Sequence, residues 1–99
     1  MSALRYFLAA YFHQDWILEA NHTRAVAERF AREEPRELVE ETLNRVSALL
    51  SGGSSEEEAS DLLATLGAYI QPSAFGETAL TFLSALHEWI SLELARSAH

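Results

Sequence analysis

The chain has 99 residues, contains no cysteine and carries a formal net charge of −8 at pH 7. A chain of this length supports one compact core, so we predict a single domain over residues 1–99. Disulfides and thiolate metal sites are excluded, and the negative charge disfavours direct binding to nucleic acid, whose phosphates are also negative.

The first predicted helix covers residues 3–12. Its apolar side chains recur every three or four residues, which is typical of a helix face that packs against a core. These inward residues are Leu4, Phe7, Leu8 and Tyr11. The helical spacing then breaks around His13 to Asp15, and Asp15 could cap a short turn that carries Trp16, Ile17 and Leu18.

A second helix is predicted from Arg24 to about Glu33, with Thr23 as its N-cap. Pro35 marks the next boundary, because proline disfavours helix at the residue before it and suits the first position of a new helix. The third helix therefore runs from Pro35 to about Leu50. The inward residues of the two helices are Val26, Ala27 and Phe30, then Leu38, Val39, Thr42, Leu43, Val46, Leu49 and Leu50.

A capping box opens the fourth helix, because Ser55 and Glu58 can each accept a hydrogen bond from the backbone of the other. This helix stops at Gly67 or continues to Ile70. The last helix is predicted from about Glu77 to Arg96. The inward residues of the two helices are Ala59, Leu62, Leu63 and Leu66, then Ala79, Phe82, Leu83, Leu86, Trp89, Ile90 and Leu94.

No segment shows the alternation of polar and apolar residues that is typical of a strand. We therefore predict an all-α fold, a compact bundle of four to five helices in a largely antiparallel arrangement. No run of residues has the pattern of a signal peptide or the roughly 20 apolar residues of a membrane span. We expect a cytoplasmic protein that does not bind membranes.

The residue patterns give little support for catalysis. His87 could begin a zinc-protease motif, but the second histidine would fall at Ser91. A small metal-dependent enzyme using His13, Asp15 and His22 is a minor alternative. No nucleophile elbow and no phosphate-binding loop is present. We predict a protein that is not an enzyme and holds no cofactor or metal.

Acidic residues cluster from the end of the second helix through the first half of the third. The members of this group are Glu33, Glu34, Glu37, Glu40 and Glu41. Such a surface would attract a basic protein, although acidity can also serve solubility alone. For this first group, we favour the interpretation that it binds a partner. For a second group, we favour helix capping and a solvated face; its members are Glu56, Glu57, Glu58 and Asp61.

Two segments resemble one group of immunity proteins from contact-dependent growth inhibition systems. The first follows the short apolar helix and reads Tyr11-Phe12-His13-Gln14-Asp15-Trp16. The second lies in the Leu63 to Pro72 stretch and contains Gly67, Tyr69 and Pro72. The sequence departs from the family pattern at Ile17, where an acidic residue is frequent, and at Ile70-Gln71, where an aromatic residue and an aspartate are frequent.

The resemblance implies an inhibitor that neutralises a cognate toxin domain by protein–protein interaction. That domain would be the C-terminal region of a large secreted protein, and it would be basic if it is a nuclease. We expect the first acidic group to contact the toxin, with Asp15 and Glu19 at most at its edge. We expect Tyr11, Phe12 and Trp16 to pack the first helix onto the bundle.

An alternative function is a generic acidic helical adaptor or regulatory subunit without a toxin partner. Such a protein would use the aromatic segment as its docking patch and bind mainly through apolar side chains. Its binding would depend little on salt, whereas binding between an acidic surface and a basic partner weakens as salt rises. Homodimerisation stays open, because an exposed apolar patch cannot be identified from sequence.

Overall fold

The computed structural model describes residues 3–12, 22–53, 55–65 and 78–97. These ranges contain five helices and no strand, which confirms the predicted all-α fold. The helices are α1 (Ala3–Tyr11), α2 (Thr23–Glu33), α3 (Arg36–Ser51), α4 (Glu56–Thr65) and α5 (Ala79–Ser97). Within these ranges, no helix is long and apolar enough to cross a membrane.

Helix α5 is the central element, because it packs against α2, α3 and α4. Helix α1 packs mainly against α3 and also contacts α2. Buried apolar residues from all five helices form one hydrophobic cluster, which accounts for the helical periodicity of the sequence. Most predicted inward positions are buried; those only partly buried are Leu38, Leu43, Leu49, Leu50, Leu62, Trp89 and Leu94. Leu66 lies outside the described residues.

A cluster of aromatic rings joins α1 to the rest of the bundle. The ring of Phe7 is fully buried and lies 4.3 Å from that of Phe30, 5.6 Å from that of Phe12 and 6.0 Å from that of Tyr11, measured between centroids. Phe12 in turn lies 5.6 Å from Phe82 on α5. The expected packing role of Tyr11 and Phe12 is therefore confirmed.

The N-terminus of α2 differs from the prediction. His22, not Thr23, is the N-cap, and its ring Nδ1 accepts a hydrogen bond of 3.2 Å from the backbone N–H of Ala25. His22 has an extended backbone, which aims its ring at the first turn, whereas Thr23 is already helical. His22 is one of the residues of the minor metal-site alternative, and this hydrogen bond occupies one of its two ring nitrogens.

The boundary between α2 and α3 lies at Pro35, one residue from its predicted place. Pro35 is the N-cap of α3 instead of its first helical residue. Its carbonyl oxygen accepts hydrogen bonds from the backbone N–H groups of Leu38 at 3.0 Å and Val39 at 3.1 Å. Helix α3 ends at Ser51, one residue later than predicted. Gly53 follows with a φ of 74°, a conformation that glycine adopts without strain.

The capping box of α4 is confirmed. The Ser55 hydroxyl accepts from the Glu58 backbone and the Glu58 carboxylate accepts from the Ser55 backbone, both at 3.1 Å. Helix α5 begins at Ala79, two residues later than predicted, because Thr78 and Thr81 form the equivalent reciprocal pair at 2.9 and 3.1 Å. Side-chain oxygens therefore satisfy backbone donors at the start of both helices.

Glu56 caps a helix other than its own. Its carboxylate accepts hydrogen bonds from the backbone N–H groups of Ala79 at 2.6 Å and Leu80 at 3.0 Å. These donors lie in the first turn of α5, where a negative charge is favourable. They hold the pKa of Glu56 below the usual value for glutamate. One carboxylate thus joins the N-termini of α4 and α5.

Replacing Glu56 with glutamine is expected to lower the stability of the protein at neutral pH. The folded pKa of Glu56 lies below its unfolded value. Its contribution is therefore present above about pH 4.3, the ordinary pKa of glutamate, and is lost as the pH falls through the folded pKa. Urea denaturation at pH 7, 5, 4 and 3 measures the free energy of unfolding. The difference in this free energy between wild type and Glu56→Gln should become smaller as the pH falls.

Glu57→Gln provides the matched control for this experiment. Glu57 lies in the same first turn of α4 and is exposed, but it forms no hydrogen bond or ion pair with the part of the chain that is described. We expect its substitution to change the pH dependence of stability less. A difference between wild type and Glu56→Gln that is constant across this pH range would contradict the role assigned to Glu56.

Candidate functional site

The first acidic group lies on the solvent side of α3 and at the α2–α3 junction. Because Val39, Thr42 and Val46 face the core, Glu37 and Glu41 project to the opposite, exposed side. These two glutamates are one helical turn apart and neighbours on the same face. Neither forms an ion pair with a residue in the described ranges. We call the exposed face of α3 that carries them the α3 acidic surface.

Two other glutamates of the group are paired with arginines. Arg36 Nε lies 2.7 Å from Glu40 Oε1, and Arg29 Nε lies 3.9 Å from Glu33 Oε1. In each pair the two residues are four positions apart and lie on the same helix, α3 for Arg36–Glu40 and α2 for Arg29–Glu33. The Arg36–Glu40 pair is exposed and contributes little to stability, whereas the Arg29 side chain is only 27% exposed. Both pairs partly cancel the charge of the group. Within the group, Glu37 and Glu41 are therefore the fully exposed glutamates that have no such arginine partner in the described ranges.

Glu34 has a structural role that the sequence did not reveal. Its carboxylate Oε2 accepts hydrogen bonds from the hydroxyl of Tyr6 at 3.1 Å and from that of Tyr11 at 2.6 Å. Glu34 is half-buried and lies 23 residues beyond Tyr11, so its carboxylate ties α1 to the α2–α3 junction. Its proposed part in binding remains a prediction.

The pKa values of the two tyrosines are consistent with these bonds. Burial and the Glu34 carboxylate raise the pKa of Tyr11 well above its usual range. The hydrogen bond to Glu34 is the main reason that the pKa of Tyr6 is raised. Both phenols therefore remain protonated donors at neutral pH. The stability that the two tyrosine hydrogen bonds contribute is present below the ordinary tyrosine pKa of about 10. It is lost as the pH rises through the pKa values that the tyrosines have in the folded protein.

The second acidic group serves mainly the helix termini, as the capping interpretation predicted. Glu56 and Glu58 are hydrogen-bonded at the starts of α5 and α4. The backbone and hydroxyl of Ser55 also lower the pKa of Glu58. Glu57 and Asp61 remain exposed, four residues apart. They form an exposed acidic pair on α4 that matches Glu37 and Glu41 in spacing.

Several predicted residues lie outside the described ranges, and their roles stay predictions. Among them are the two candidates for the edge of the binding surface, Asp15 and Glu19, and part of the family motif, namely His13, Gln14, Trp16, Gly67, Tyr69 and Pro72. Within the described ranges, no group of three acidic or histidine side chains is placed to hold a metal ion.

A family model described as "CdiI immunity protein" matches residues 1–90. The matched region includes α1 to α4, the α3 acidic surface, the first part of α5 and both segments on which the resemblance was based. No curated protein and no solved structure matches the chain.

Proposed function

We propose that this chain, which belongs to the CdiI immunity protein family, neutralises its toxin by binding a cognate toxin domain directly. Membership of the family supports the neutralising role, because immunity proteins protect a cell from a toxin. We propose that the toxin domain is the C-terminal region of a large secreted protein delivered by neighbouring bacteria. The complex would form in the cytoplasm of the protected cell, and the chain would act by binding alone.

We further propose that the toxin domain is basic and is a nuclease. A nuclease needs a positively charged groove, because its substrate carries one negative charge per phosphate. The α3 acidic surface would approach such a groove with the exposed carboxylates of Glu37 and Glu41. The net charge of −8 would accelerate the encounter by long-range attraction. Glu37 and Glu41 are exposed and form no ion pair with a residue in the described ranges, and this observation most supports the electrostatic mode.

Coproduction of the chain with its cognate toxin domain would test the proposal. We expect the two proteins to purify as a stable heterodimer and the cells to grow, whereas cells that produce the toxin domain alone should stop growing. A toxin domain from a different system serves as the control and should not be neutralised. Continued growth inhibition by the cognate toxin, with no complex formed, would contradict the proposal.

The salt dependence of binding tests the electrostatic part separately. The Debye length falls from about 10 Å at 0.1 M salt to about 3 Å at 1 M, so the attraction between the α3 acidic surface and a basic toxin is screened as salt rises. We expect the association rate to fall steeply over this range. An association rate that is independent of salt would instead favour the apolar docking of a generic adaptor.

A further inference from the structure

An apolar pocket lies between the C-terminal end of α3, the helix α4 and the start of α5. Helix α4 packs against α5 but has fewer contacts with α3, which leaves this space between them. The pocket has a volume of about 190 Å³ and is open to solvent on one side. We call it the α3–α4–α5 pocket, and its lining consists of Leu49, Glu58, Ala59, Leu62, Leu80 and Leu83.

Leu62 supplies apolar surface that the core of the bundle does not use. Three leucines of the lining, Leu49, Leu62 and Leu80, are only half-buried. Leu49 and Leu80 also pack against the hydrophobic cluster, whereas Leu62 is not among the side chains of the described ranges that do so. Part of the Leu62 side chain therefore faces the pocket instead of the core.

The size of the pocket indicates one side chain of a larger partner and not a free ligand. Pockets for drug-sized ligands have volumes of about 300–1,000 Å³ and enclose most of the ligand, whereas this pocket is smaller and open. An apolar cavity of about 150 Å³ in another protein holds a benzene molecule. The pocket therefore has room for the ring of one phenylalanine, as an anchor side chain at the centre of a protein interface.

The charge around the pocket is strongly negative. Residues 46–95, between Arg45 and Arg96, contain seven acidic residues and neither lysine nor arginine. They carry a formal charge of −7, whereas the rest of the chain sums to −1. None of the four acidic residues on α4 forms an ion pair with an arginine of the described ranges. All four are exposed, and one lines the pocket: Glu56, Glu57, Glu58 and Asp61.

We propose that the α3–α4–α5 pocket binds a basic segment of a second partner protein, which inserts one apolar side chain between flanking lysines or arginines. The apolar side chain covers Leu62, and the flanking cations lie beside Glu57, Glu58 and Asp61. An acidic segment would be repelled, and a basic segment without the apolar side chain would be held by charge alone. The pocket therefore selects a partner by both properties together.

The pocket is separate from the α3 acidic surface, which the proposed function assigns to the toxin. Leu49 lies eight residues beyond Glu41, about 12 Å further along the axis of α3. Leu49 also packs against the hydrophobic cluster, whereas Glu41 is exposed. A partner in the pocket is therefore additional to the toxin, and the proposal does not rest on toxin binding.

A synthetic peptide with one phenylalanine between two pairs of lysines tests the proposal on the full chain. NMR titration should show the largest changes at the amide signals of residues that line the pocket. We expect a dissociation constant of about 0.1–1 mM, because a single anchor side chain provides the apolar contact. A peptide with alanine in place of phenylalanine should bind about fivefold or more weakly, since most of the buried apolar surface is lost. A peptide with glutamates in place of the lysines should not bind.

Leu62→Gln removes apolar surface from the pocket, and Leu92→Gln is the matched control at an exposed leucine of α5 outside the lining. Leu62→Gln should raise the dissociation constant of the phenylalanine peptide about fivefold or more, whereas Leu92→Gln should leave it within about twofold of wild type. Circular dichroism would verify that both variants remain folded.

Equal affinity of the phenylalanine and alanine peptides would mean that charge alone attracts them, and this would overturn the proposal. NMR changes centred elsewhere on the chain, or equal effects of Leu62→Gln and Leu92→Gln, would also overturn it. Binding of the toxin domain separates this proposal from the proposed function, because Leu62→Gln should retain wild-type affinity for the toxin. A loss of that affinity would place the pocket in the toxin interface and would overturn the assignment to a second partner.

Discussion

Phe7→Ala is expected to destabilise the folded protein by about 3–5 kcal/mol, the usual loss when a buried phenylalanine is truncated. Phe7 is fully buried, and its ring contacts rings from α1 and α2. The truncation would leave a cavity where α1 meets the bundle, because the surrounding rings can close it only in part. A small domain has only about 5–15 kcal/mol of total stability. The variant should therefore lose a large share of that stability.

Urea denaturation followed by circular dichroism measures this loss, with Phe7→Leu as the graded control. Leucine refills part of the site with apolar atoms, so its variant should lie between Phe7→Ala and wild type. Thermal unfolding should give the same order, with the midpoint of Phe7→Ala lowered by more than about 10 °C. Equal stability of Phe7→Ala and wild type would mean that the aromatic cluster does not hold α1 in place.

Reversing the charge of both Glu37 and Glu41 to arginine is expected to slow association with the toxin about 10- to 100-fold at low salt. The two residues carry exposed charge of the α3 acidic surface, so their reversal turns local attraction to a basic groove into repulsion. The ratio of the wild-type rate to the variant rate should decrease as salt rises. Stopped-flow mixing with the purified toxin domain at several salt concentrations measures both effects.

The double variant Glu57→Arg/Asp61→Arg controls for net charge. Like Glu37 and Glu41, these residues are exposed, acidic and four positions apart on one helix. Each reversal adds two charges, so both double variants change the net charge from −8 to −4. We expect the α4 variant to slow association much less. Equal slowing by the two variants would show that only the net charge matters and would remove the α3 acidic surface from the binding site.

Local sequence patterns were sufficient to predict the helices and most of their buried faces. The three- and four-residue spacing of apolar residues placed Phe7, Phe30 and Leu86 in the core, where the structure has them. The capping box of α4 was also predictable, because Ser55 and Glu58 are only three residues apart. The family could be identified from two short segments, and the match over residues 1–90 confirms it.

Small errors arose where two residues could perform the same local task. His22 caps α2 in place of Thr23, because a histidine ring nitrogen accepts a backbone N–H as well as a hydroxyl does in this geometry. Pro35 can stand at the N-cap or at the first helical position, and both fit its fixed φ. Each of these choices moved a helix boundary by one residue and left the core unchanged.

The roles of the glutamates were decided by the tertiary structure. Glu37 is exposed, Glu34 accepts bonds from two tyrosines of α1, and Glu56 caps α5. On α5, Glu93 lies beside the apolar stripe and is buried, although its position could equally have faced solvent. The sequence sets which face of its own helix a residue occupies. The residues that this face contacts depend on how helices more than 20 residues apart in the sequence pack together. The local spacing of apolar residues does not predict that packing.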